Sequence, residues 1–280
     1  MEKSKTINSD VICFDLEDSV PVDEKESARK LVNKTIQEIN KTDQSSKKIL
    51  ISVRINAPDS ELAIDDLKKI ITNGIDAIVI PKVETEFQVV NVSNIIKTLE
   101  EENHIPNNYI KLIPSIESSL GVVNAYSIAK ADPRISSIVF GIFDFLHDMR
   151  IDSNDYEILT GYMYARAKVP VDARAAGVDS IDSIWQNIND FAGLEKDLFL
   201  GRKLGYTGKC IIHPSQVDHV HKVFSPSMQD IQWAKKVISV LDESRNEKTI
   251  KTGAINLEGK MIDTVHYKQA KRILETIIPP

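Results

Sequence analysis

The stretch KLIPSIESSLGVVNAYSIAKADPRISSIVFGIFDFLHD (Lys111–Asp148) contains two short apolar runs, Leu112–Ile116 and Ile138–Phe140, with an amphipathic segment between them. Two buried strands joined through a helix have this pattern. Such a crossover makes the strands parallel, so the residues that follow them emerge at the same, C-terminal edge of one sheet. A carboxylate follows each run, Glu117 in the first case and Asp144 in the second. The stretch therefore predicts an α/β fold whose chemistry lies at that edge.

Two carboxylates side by side suit Mg²⁺, which keeps several waters and needs only one or two carboxylates from the protein. A less specific interpretation also fits the spacing. In that interpretation Glu117 caps the helix that follows it and Asp144 lies in a solvated loop. At this point the residues leave both interpretations open.

The same alternation of apolar runs and amphipathic segments extends through most of the chain. A continuous apolar run such as Val11–Leu16 (VICFDL) is typical of a parallel strand that is covered on both faces. From Ala28 to Ile39, apolar residues then recur at helical spacing, which indicates a helix behind that strand. The predicted strands begin near Val11, Ile49, Ala77, Leu112, Ile138, Ser180 and Lys209.

These seven predicted strands are one fewer than an eight-stranded TIM-like β/α barrel contains. Only ten residues precede Val11, which is too short a segment for another strand and helix. We therefore expect either a TIM-like barrel that closes in an unusual way or one that lacks its first strand.

The last part of the chain differs in character from the β/α repeats. Met228–Leu241 has the pattern of one amphipathic helix, Asp242–Thr252 is charged and has no apolar period, and Ile255–Pro280 carries a short helix of its own. We predict a β/α-barrel catalytic domain over residues 1–245, followed by a linker and a small C-terminal helical lid over residues 246–280.

Composition argues against several classes of function. The 280 residues are 42% hydrophobic but contain no apolar run near the ~20 residues that a membrane span needs, and no signal-peptide core is visible. A formal net charge of -6 and helices of mixed sign argue against a nucleic-acid surface. The two cysteines, Cys13 and Cys210, lie in predicted buried strands, as small hydrophobic residues do in a reducing compartment. We expect a soluble, cytoplasmic protein.

Eight segments carry a more specific signal, and they follow one another in a defined order along nearly the whole chain. They are DLEDSVPVDEKESAR (Asp15–Arg29), VRIN (Val53–Asn56), IPKVE (Ile80–Glu84), IESSLGVVNA (Ile116–Ala125), FGIFDF (Phe140–Phe145), ARAAGVDSIDS (Ala173–Ser183), GYTGKCIIHPSQ (Gly205–Gln216) and EGKMIDTVHYKQA (Glu258–Ala270). In these segments the chain resembles the citrate lyase β-subunit-like group, which lies within the HpcH/HpaI aldolase family together with malyl-CoA and citramalyl-CoA lyases. The resemblance implies a Mg²⁺-dependent β/α barrel that makes or breaks a carbon–carbon bond next to a CoA-type thioester. Similar enzymes begin with an additional strand that this sequence lacks.

The resemblance assigns roles to residues at the strand ends. It makes Glu117 and Asp144 the magnesium ligands, in agreement with the first interpretation above. It places Arg54 against the substrate carboxylate or the thioester oxygen, to which a guanidinium offers two parallel hydrogen bonds. The alternative for Arg54 is an ion pair with Glu17 or Asp18, and the two roles can coexist.

Glu17 and Asp18 resemble the acids of the family that hold metal-bound waters, although acids are also common where helices start. Lys82 ends a strand at the same edge and is expected to pair with these acids. A Schiff-base role for Lys82 is disfavoured because a metal-dependent aldolase needs none. Asp263 matches an aspartate that acts as the acid/base from a C-terminal segment closing over the neighbouring subunit's barrel. Without the resemblance, Asp263 would be read as the N-cap of the last helix.

The sequence thus predicts a Mg²⁺-dependent lyase acting on a 3-hydroxyacyl thioester such as malyl-CoA, citramalyl-CoA or citryl-CoA, with a 2-oxo acid as one product. The expected partners are a CoA or acyl-carrier thioester, the 2-oxo acid and further copies of the chain, in a trimer or hexamer with the lid acting in trans. No nucleic acid or membrane is expected. The alternatives are a thioesterase of the same family and a non-catalytic binding subunit.

Overall fold

The computed structural model of the chain describes residues 7–42, 49–151, 162–246 and 254–276. The chain divides into two compact units, Met1–Val220 and His221–Pro280. The sequence analysis placed the domain boundary later, at residue 245. The difference arises because the helix Met228–Asn246 groups with the C-terminal segment and includes the first residues of the predicted linker. The remainder of that linker, from residue 247, lies outside the described residues.

The described residues of the first unit form a sheet of seven parallel strands whose order in space is their order in the sequence. The strands are β1 (Val11–Asp15), β2 (Leu50–Arg54), β3 (Ala77–Ile80), β4 (Lys111–Ile116), β5 (Ser137–Phe140), β6 (Asp179–Asp182) and β7 (Gly208–Lys209). In this part of the chain β1 and β7 do not pair, so the sheet has two edges. The predicted α/β fold, a TIM-like barrel with one strand fewer than eight, is confirmed.

Helices alternate with these strands, as the apolar periodicity predicts. They are α1 (Lys25–Thr42), α2 (Glu61–Ile70), α3 (Glu86–Glu102), α4 (Ser119–Val123), α5 (Ala125–Ala129), α6 (Ile142–Asp148), α7 (Met163–Ala176), α8 (Phe191–Leu204) and α9 (Val217–Phe224). The segment between β4 and β5 is divided into two short helices, where the sequence analysis expected one. The start of the helix predicted from Tyr156 lies outside the described residues.

The strands are continuous apolar runs in the sequence because most of their side chains are buried. All four residues of β3 are buried, and in β2 both Ile51 and Val53 are almost completely inaccessible to water. Helices cover the outer face of such a sheet and the side chains of other strands cover its inner face, so few positions require a polar residue. Gly177 and Gly205 end α7 and α8 with φ of 85° and 105°, a conformation that favours glycine.

The register of the strands determines which side chains meet at the C-terminal edge. Asp15, the last residue of β1, lies opposite Arg54, the last residue of β2. Ile116 at the end of β4 lies opposite Phe140 at the end of β5. The residues that follow these positions therefore emerge next to one another.

The second unit is a small helical body with a hairpin. It contains α10 (Met228–Asn246), an antiparallel pair of strands, β8 (Ala254–Leu257) and β9 (Lys260–Asp263), and α11 (Thr264–Glu275). The two-residue turn of the hairpin, Glu258 and Gly259, has φ of 50° and 81°, as tight hairpin turns require. The buried residues of its hydrophobic core cluster are Ala234, Val237, Leu241, Ile262 and Ala270. The sequence analysis predicted the last helix but missed the hairpin.

Within the described ranges, no helix combines the length and the apolarity that crossing a membrane requires. The cytoplasmic location remains a prediction. The expectation that both cysteines are buried is wrong, because Cys13 is exposed and Cys210 is partly exposed. Cys13 belongs to β1, an edge strand, and one side of an edge strand has no neighbouring strand to cover it.

Candidate active site

The two predicted metal ligands follow neighbouring strands. Glu117 comes directly after β4, and the helix behind it is capped by Ser118, whose hydroxyl accepts from the Gly121 N–H at 3.1 Å. Asp144 lies in the first turn of α6, where a carboxylate interacts favourably with the helix dipole. The less specific interpretation is therefore wrong for both residues: Glu117 is not the cap, and Asp144 is in a helix instead of a loop.

Glu117 is a buried acidic group of the site. The residue is 5% exposed, and its Oε2 has no hydrogen-bond partner in the described residues. Burial raises the pKa of Glu117 to about 7, and the negative charges of Glu17 and Asp144 act in the same direction. Arg54 and Lys82 oppose this shift without cancelling it. Among the described residues, Glu117 therefore has no positive partner close enough to stabilise its ionised form.

Gly141 makes room for this carboxylate. A Cβ atom at Gly141 would lie 2.5 Å from Cγ of Glu117, closer than side-chain atoms approach one another. The register brings them together, because Ile116 before the glutamate pairs with Phe140 before the glycine. The glycine in the FGIFDF segment is thus a steric requirement of the site, which the sequence analysis did not identify.

Arg54 is held by a carboxylate that the sequence analysis did not assign to the site. Its Nε donates to Oδ1 of Asp15 at 2.7 Å and its Nη2 to Oδ2 at 2.6 Å. Ser19 and the backbone N–H of Glu17 also donate to the Asp15 carboxylate. The Nη1 of Arg54 lies 3.0 Å from Oε2 of Glu17. The ion pair expected for Arg54 is present with Glu17, and Asp15 is an additional, bidentate partner that was not predicted.

Glu17, Asp18 and Lys82 form the remainder of the cluster. The ammonium of Lys82 lies 2.6 Å from Oδ2 of Asp18, 3.0 Å from Oε1 of Glu17 and 3.9 Å from Oδ1 of Asp144. Lys82 was predicted to pair with the two acids that follow β1, and it does so. The carboxylate of Glu17 therefore lies between two cations, Arg54 on one side and Lys82 on the other.

Asp263 lies in the second unit, where it caps α11. Its Oδ1 accepts from the backbone N–H of Val265 at 2.9 Å and of His266 at 3.4 Å. The Nδ1 of His266 lies 2.8 Å from the same oxygen, and this contact lowers the pKa of Asp263. The capping role expected from the sequence is confirmed. A role for Asp263 over another subunit's barrel remains a prediction.

Glu117 and Asp144 could hold a divalent cation. Among the described residues, no three His, Cys, Asp or Glu side chains converge as metal ligands. Two carboxylates nevertheless suffice for Mg²⁺, which completes its octahedron with water and substrate oxygens. Oε2 of Glu117 fits this group, because a cation beside it would supply the interaction that the described part of the chain does not.

A sequence model of the HpcH/HpaI aldolase/citrate lyase family matches residues 1–214. The chain belongs to this family. Aldolases and citrate lyases are carbon–carbon lyases, so the predicted family and enzyme class are both confirmed.

Individual members of the family match nearly the whole chain. The citrate lyase subunit beta of Leuconostoc mesenteroides subsp. cremoris is 35% identical over 267 residues, which cover 95% of this chain and 85% of that protein. The (3S)-malyl-CoA thioesterase of Cereibacter sphaeroides is 32% identical over 276 residues, covering 98% and 88%. The solved structure of protein CitE from Mycobacterium tuberculosis, in complex with magnesium, acetoacetate and coenzyme A, superposes with a TM-score of 0.71 at 26% identity, covering 95% of this chain and 89% of that one.

In this HpcH/HpaI family member, a buried lysine, Lys25, joins two segments of the site by hydrogen bonds. It was not identified from the sequence. The ammonium of Lys25 donates to the carbonyl oxygens of Leu16 and Glu17, both at 2.6 Å, and to Oδ1 of Asn56 at 2.7 Å. These bonds join the turn that carries Glu17 to the loop that follows Arg54. Lys25 and Asn56 both occur in the quoted segments, so the resemblance contained the signal, but nothing local to either residue shows that they meet.

The raised pKa of Glu117 predicts how the stability of the metal-free protein depends on pH. The ordinary pKa of a glutamate is 4.5 and that of Glu117 is about 7, so between these values the folded protein binds more protons than the unfolded chain. The contribution of Glu117 to the free energy of unfolding is fully present below pH 4.5 and is lost as the pH rises through about 7. Glu117→Gln removes this pH-dependent loss of stability, which amounts to at most about 3 kcal/mol in the free energy of unfolding.

We therefore expect Glu117→Gln to melt at a higher temperature than the wild type above about pH 7 in EDTA, with a smaller difference near pH 5. Thermal unfolding across this pH range measures the effect. Glu101→Gln, which replaces an exposed glutamate of α3, is the control and should follow the wild type. Parallel curves for Glu117→Gln and the wild type would show that Glu117 is ionised in the folded protein at no cost.

Proposed function

We propose that this protein is a Mg²⁺-dependent lyase that cleaves or forms the carbon–carbon bond of a 3-hydroxyacyl thioester such as malyl-CoA, citramalyl-CoA or citryl-CoA. Cleavage would yield an acyl thioester and a 2-oxo acid. The observation that carries the proposal is Glu117, a buried carboxylate with an unpartnered oxygen next to a second carboxylate, Asp144. A buried charge without a partner is destabilising, and a bound cation removes that penalty.

Glu117 and Asp144 would hold the metal at the C-terminal edge of β4 and β5. Mg²⁺ bound there would supply Lewis-acid polarisation of the 2-oxo acid carbonyl. The related Mycobacterium tuberculosis structure holds magnesium together with acetoacetate and coenzyme A, which supports the same cofactor and the same class of substrate for this chain.

Arg54 would bind the substrate carboxylate or the thioester oxygen, and would neutralise the negative charge of the developing enolate. The three contacts to Asp15 and Glu17 engage three of the five N–H groups of a guanidinium, so donors remain for a substrate oxygen. The fork with Asp15 holds the guanidinium in place before the substrate arrives. A donor that is already oriented needs no reorganisation during the reaction, which is the main advantage of such preorganised charges.

Glu17 and Asp18 would hold waters on the open side of the metal site. Asp263 would move the proton as the acid/base, from a lid that belongs to another copy of the chain in a homo-oligomer. Its contact with His266 lowers the pKa of Asp263, so the carboxylate would enter the reaction in its ionised form. The linker that such an exchange requires falls largely on residues 247–252, outside the described residues.

A second candidate reaction is hydrolysis of the same thioesters. The 32% identity with the (3S)-malyl-CoA thioesterase of Cereibacter sphaeroides favours it, because the two functions occur among relatives of comparable similarity. In that reaction Asp263 and the metal site would activate water. Incubation with malyl-CoA separates the two reactions: a lyase releases glyoxylate and keeps the thioester, whereas a thioesterase releases malate and free CoA.

The metal assignment is tested by calorimetric titration of Mg²⁺ into the metal-free protein. Replacing Glu117 with Gln removes a ligand charge, so we expect the affinity to fall by more than about tenfold and turnover to be lost while the fold is kept. The exposed variant Glu101→Gln is again the control and should bind as the wild type does. An unchanged affinity in Glu117→Gln means that the metal binds elsewhere or that another group holds it.

The role of Arg54 is tested by Arg54→Lys, which keeps the charge but loses the fork. If Arg54 stabilises the developing enolate, kcat should fall by about a hundredfold. Steady-state kinetics and thermal unfolding are measured on the same preparation. A purely structural arginine would lower the melting temperature and leave kcat unchanged, and that result would remove Arg54 from the proposed mechanism.

The role of Asp263 is tested by mixing two inactive variants, Asp263→Ala and Glu117→Gln. If the lid acts on a neighbouring subunit, some sites in the mixed oligomers combine an intact barrel with an intact lid, and part of the activity returns. Mass spectrometry confirms that subunits have exchanged. Zero activity in confirmed mixed oligomers would leave Asp263 either serving its own barrel or acting as a cap alone.

A further inference from the structure

Lys82 has an unusual backbone conformation. It follows β3 and Pro81 and has φ of 51°, in the left-handed region that a residue with a Cβ rarely adopts. Such strain persists where the surrounding structure holds it, and it gathers at functional sites. The side chain of Lys82 reaches the acid cluster at the C-terminal edge of the sheet.

The ammonium of Lys82 contacts carboxylates from two separate parts of the sheet edge. Asp18 at 2.6 Å and Glu17 at 3.0 Å belong to the turn after β1, and Asp144 at 3.9 Å belongs to α6 behind β5. The other cation, Arg54, is engaged mainly by Asp15. Lys82 is therefore the positive group that faces the proposed metal ligand Asp144 in the described residues.

We propose that Lys82 is the counter-ion of the metal-free site and that it competes with the metal for the acid cluster, so that it sets the metal affinity. The inference rests on the proposed function, in which Asp144 and Glu117 hold the cation. An ammonium 3.9 Å from one ligand stabilises that carboxylate without metal and repels a divalent cation placed beside it. When the metal binds, Asp144 exchanges the ammonium for the metal, and Lys82 keeps its shorter contact with Asp18.

A consequence concerns the substrate. The metal adds two positive charges to the site, and its binding at Asp144 leaves the ammonium of Lys82 with one carboxylate fewer, so that both cations attract an anionic 2-oxo acid. Metal and anion should therefore bind cooperatively, each raising the affinity for the other by the same factor. Without Lys82, the second of these cations is missing and this coupling should weaken.

The test is a titration of Mg²⁺ into the metal-free, full-length protein, with and without pyruvate. In Lys82→Met, which keeps the length of the side chain but not its charge, Mg²⁺ alone should bind about tenfold more tightly than in the wild type, and pyruvate should enhance that affinity less. Lys82→Arg keeps the charge and should bind as the wild type does. Lys130→Met, which removes a charge from the exposed end of α5, is the control for net charge and should also match the wild type.

The direction of the change in Lys82→Met is decisive. If Lys82 only positioned Asp18 and Glu17 around the metal, its loss would weaken Mg²⁺ binding, and a weaker or unchanged affinity overturns the proposal. Glu117→Gln in the same series separates this outcome from failure of the proposed function. If Glu117→Gln still binds Mg²⁺ as the wild type does, the metal assignment is wrong. If Glu117→Gln weakens Mg²⁺ binding but Lys82→Met does not tighten it, only the Lys82 inference is overturned.

Thermal unfolding in EDTA tests the counter-ion role without any metal. Lys82→Met should melt at a lower temperature than the wild type, because the acid cluster has lost a cation, and Lys130→Met should not. Added Mg²⁺ should restore more of the melting temperature in Lys82→Met than it adds to the wild type. Equal melting of the wild type and Lys82→Met in EDTA would show that the cluster does not need this cation.

Discussion

The site of this protein depends on one electrostatic constraint, the crowding of carboxylates where parallel strands end. A parallel sheet directs every strand end to the same edge, so Glu17, Glu117 and Asp144 meet although they are far apart in sequence. Burial is the main cause of the raised pKa of Glu117, and repulsion from Glu17 and Asp144 adds to it. The cluster is stable only where cations accompany it. Part of that positive charge comes from Arg54 and Lys82, and we propose that a metal supplies the rest.

The groups behind the cluster hold its charges in place. Asp15 fixes the guanidinium of Arg54 from one side, and Lys25 ties the backbone of Glu17 to Asn56 on the other. Asn56 in turn donates to Asp66, which is fully buried and accepts from Arg29. These interactions link β1, β2, α1 and α2 into one support. The acids therefore have few alternative positions in which to relieve their repulsion, which is what a preorganised electrostatic site requires.

In the C-terminal unit, Asp263 has a local structural role, and we propose that it also takes part in the chemistry. Asp263 caps α11 through one carboxylate oxygen, Oδ1, and His266 contacts that same oxygen. A cap needs only an acceptor at the helix N-terminus, and serine, threonine or asparagine would meet that need. Capping explains why an acceptor stands at this position. The helix dipole also favours an ionised acceptor at this position, so the role over a neighbouring barrel that we propose rests on the resemblance to the family.

The sequence by itself determined the order of the seven parallel strands, a sheet one strand short of a full barrel, and the acids that follow β1, β4 and β5. These features depend on apolar periodicity and on chain order, both of which are local. Only the tertiary structure decided that Asp15 holds Arg54, that Gly141 must lack a side chain beside Glu117, and that Lys25 anchors the turn after β1. It also placed the boundary between the units before α10, because that helix packs in the C-terminal unit. Each of these depends on strand register or on packing between distant segments, and a local pattern carries no information about the side chain that another segment brings opposite to it.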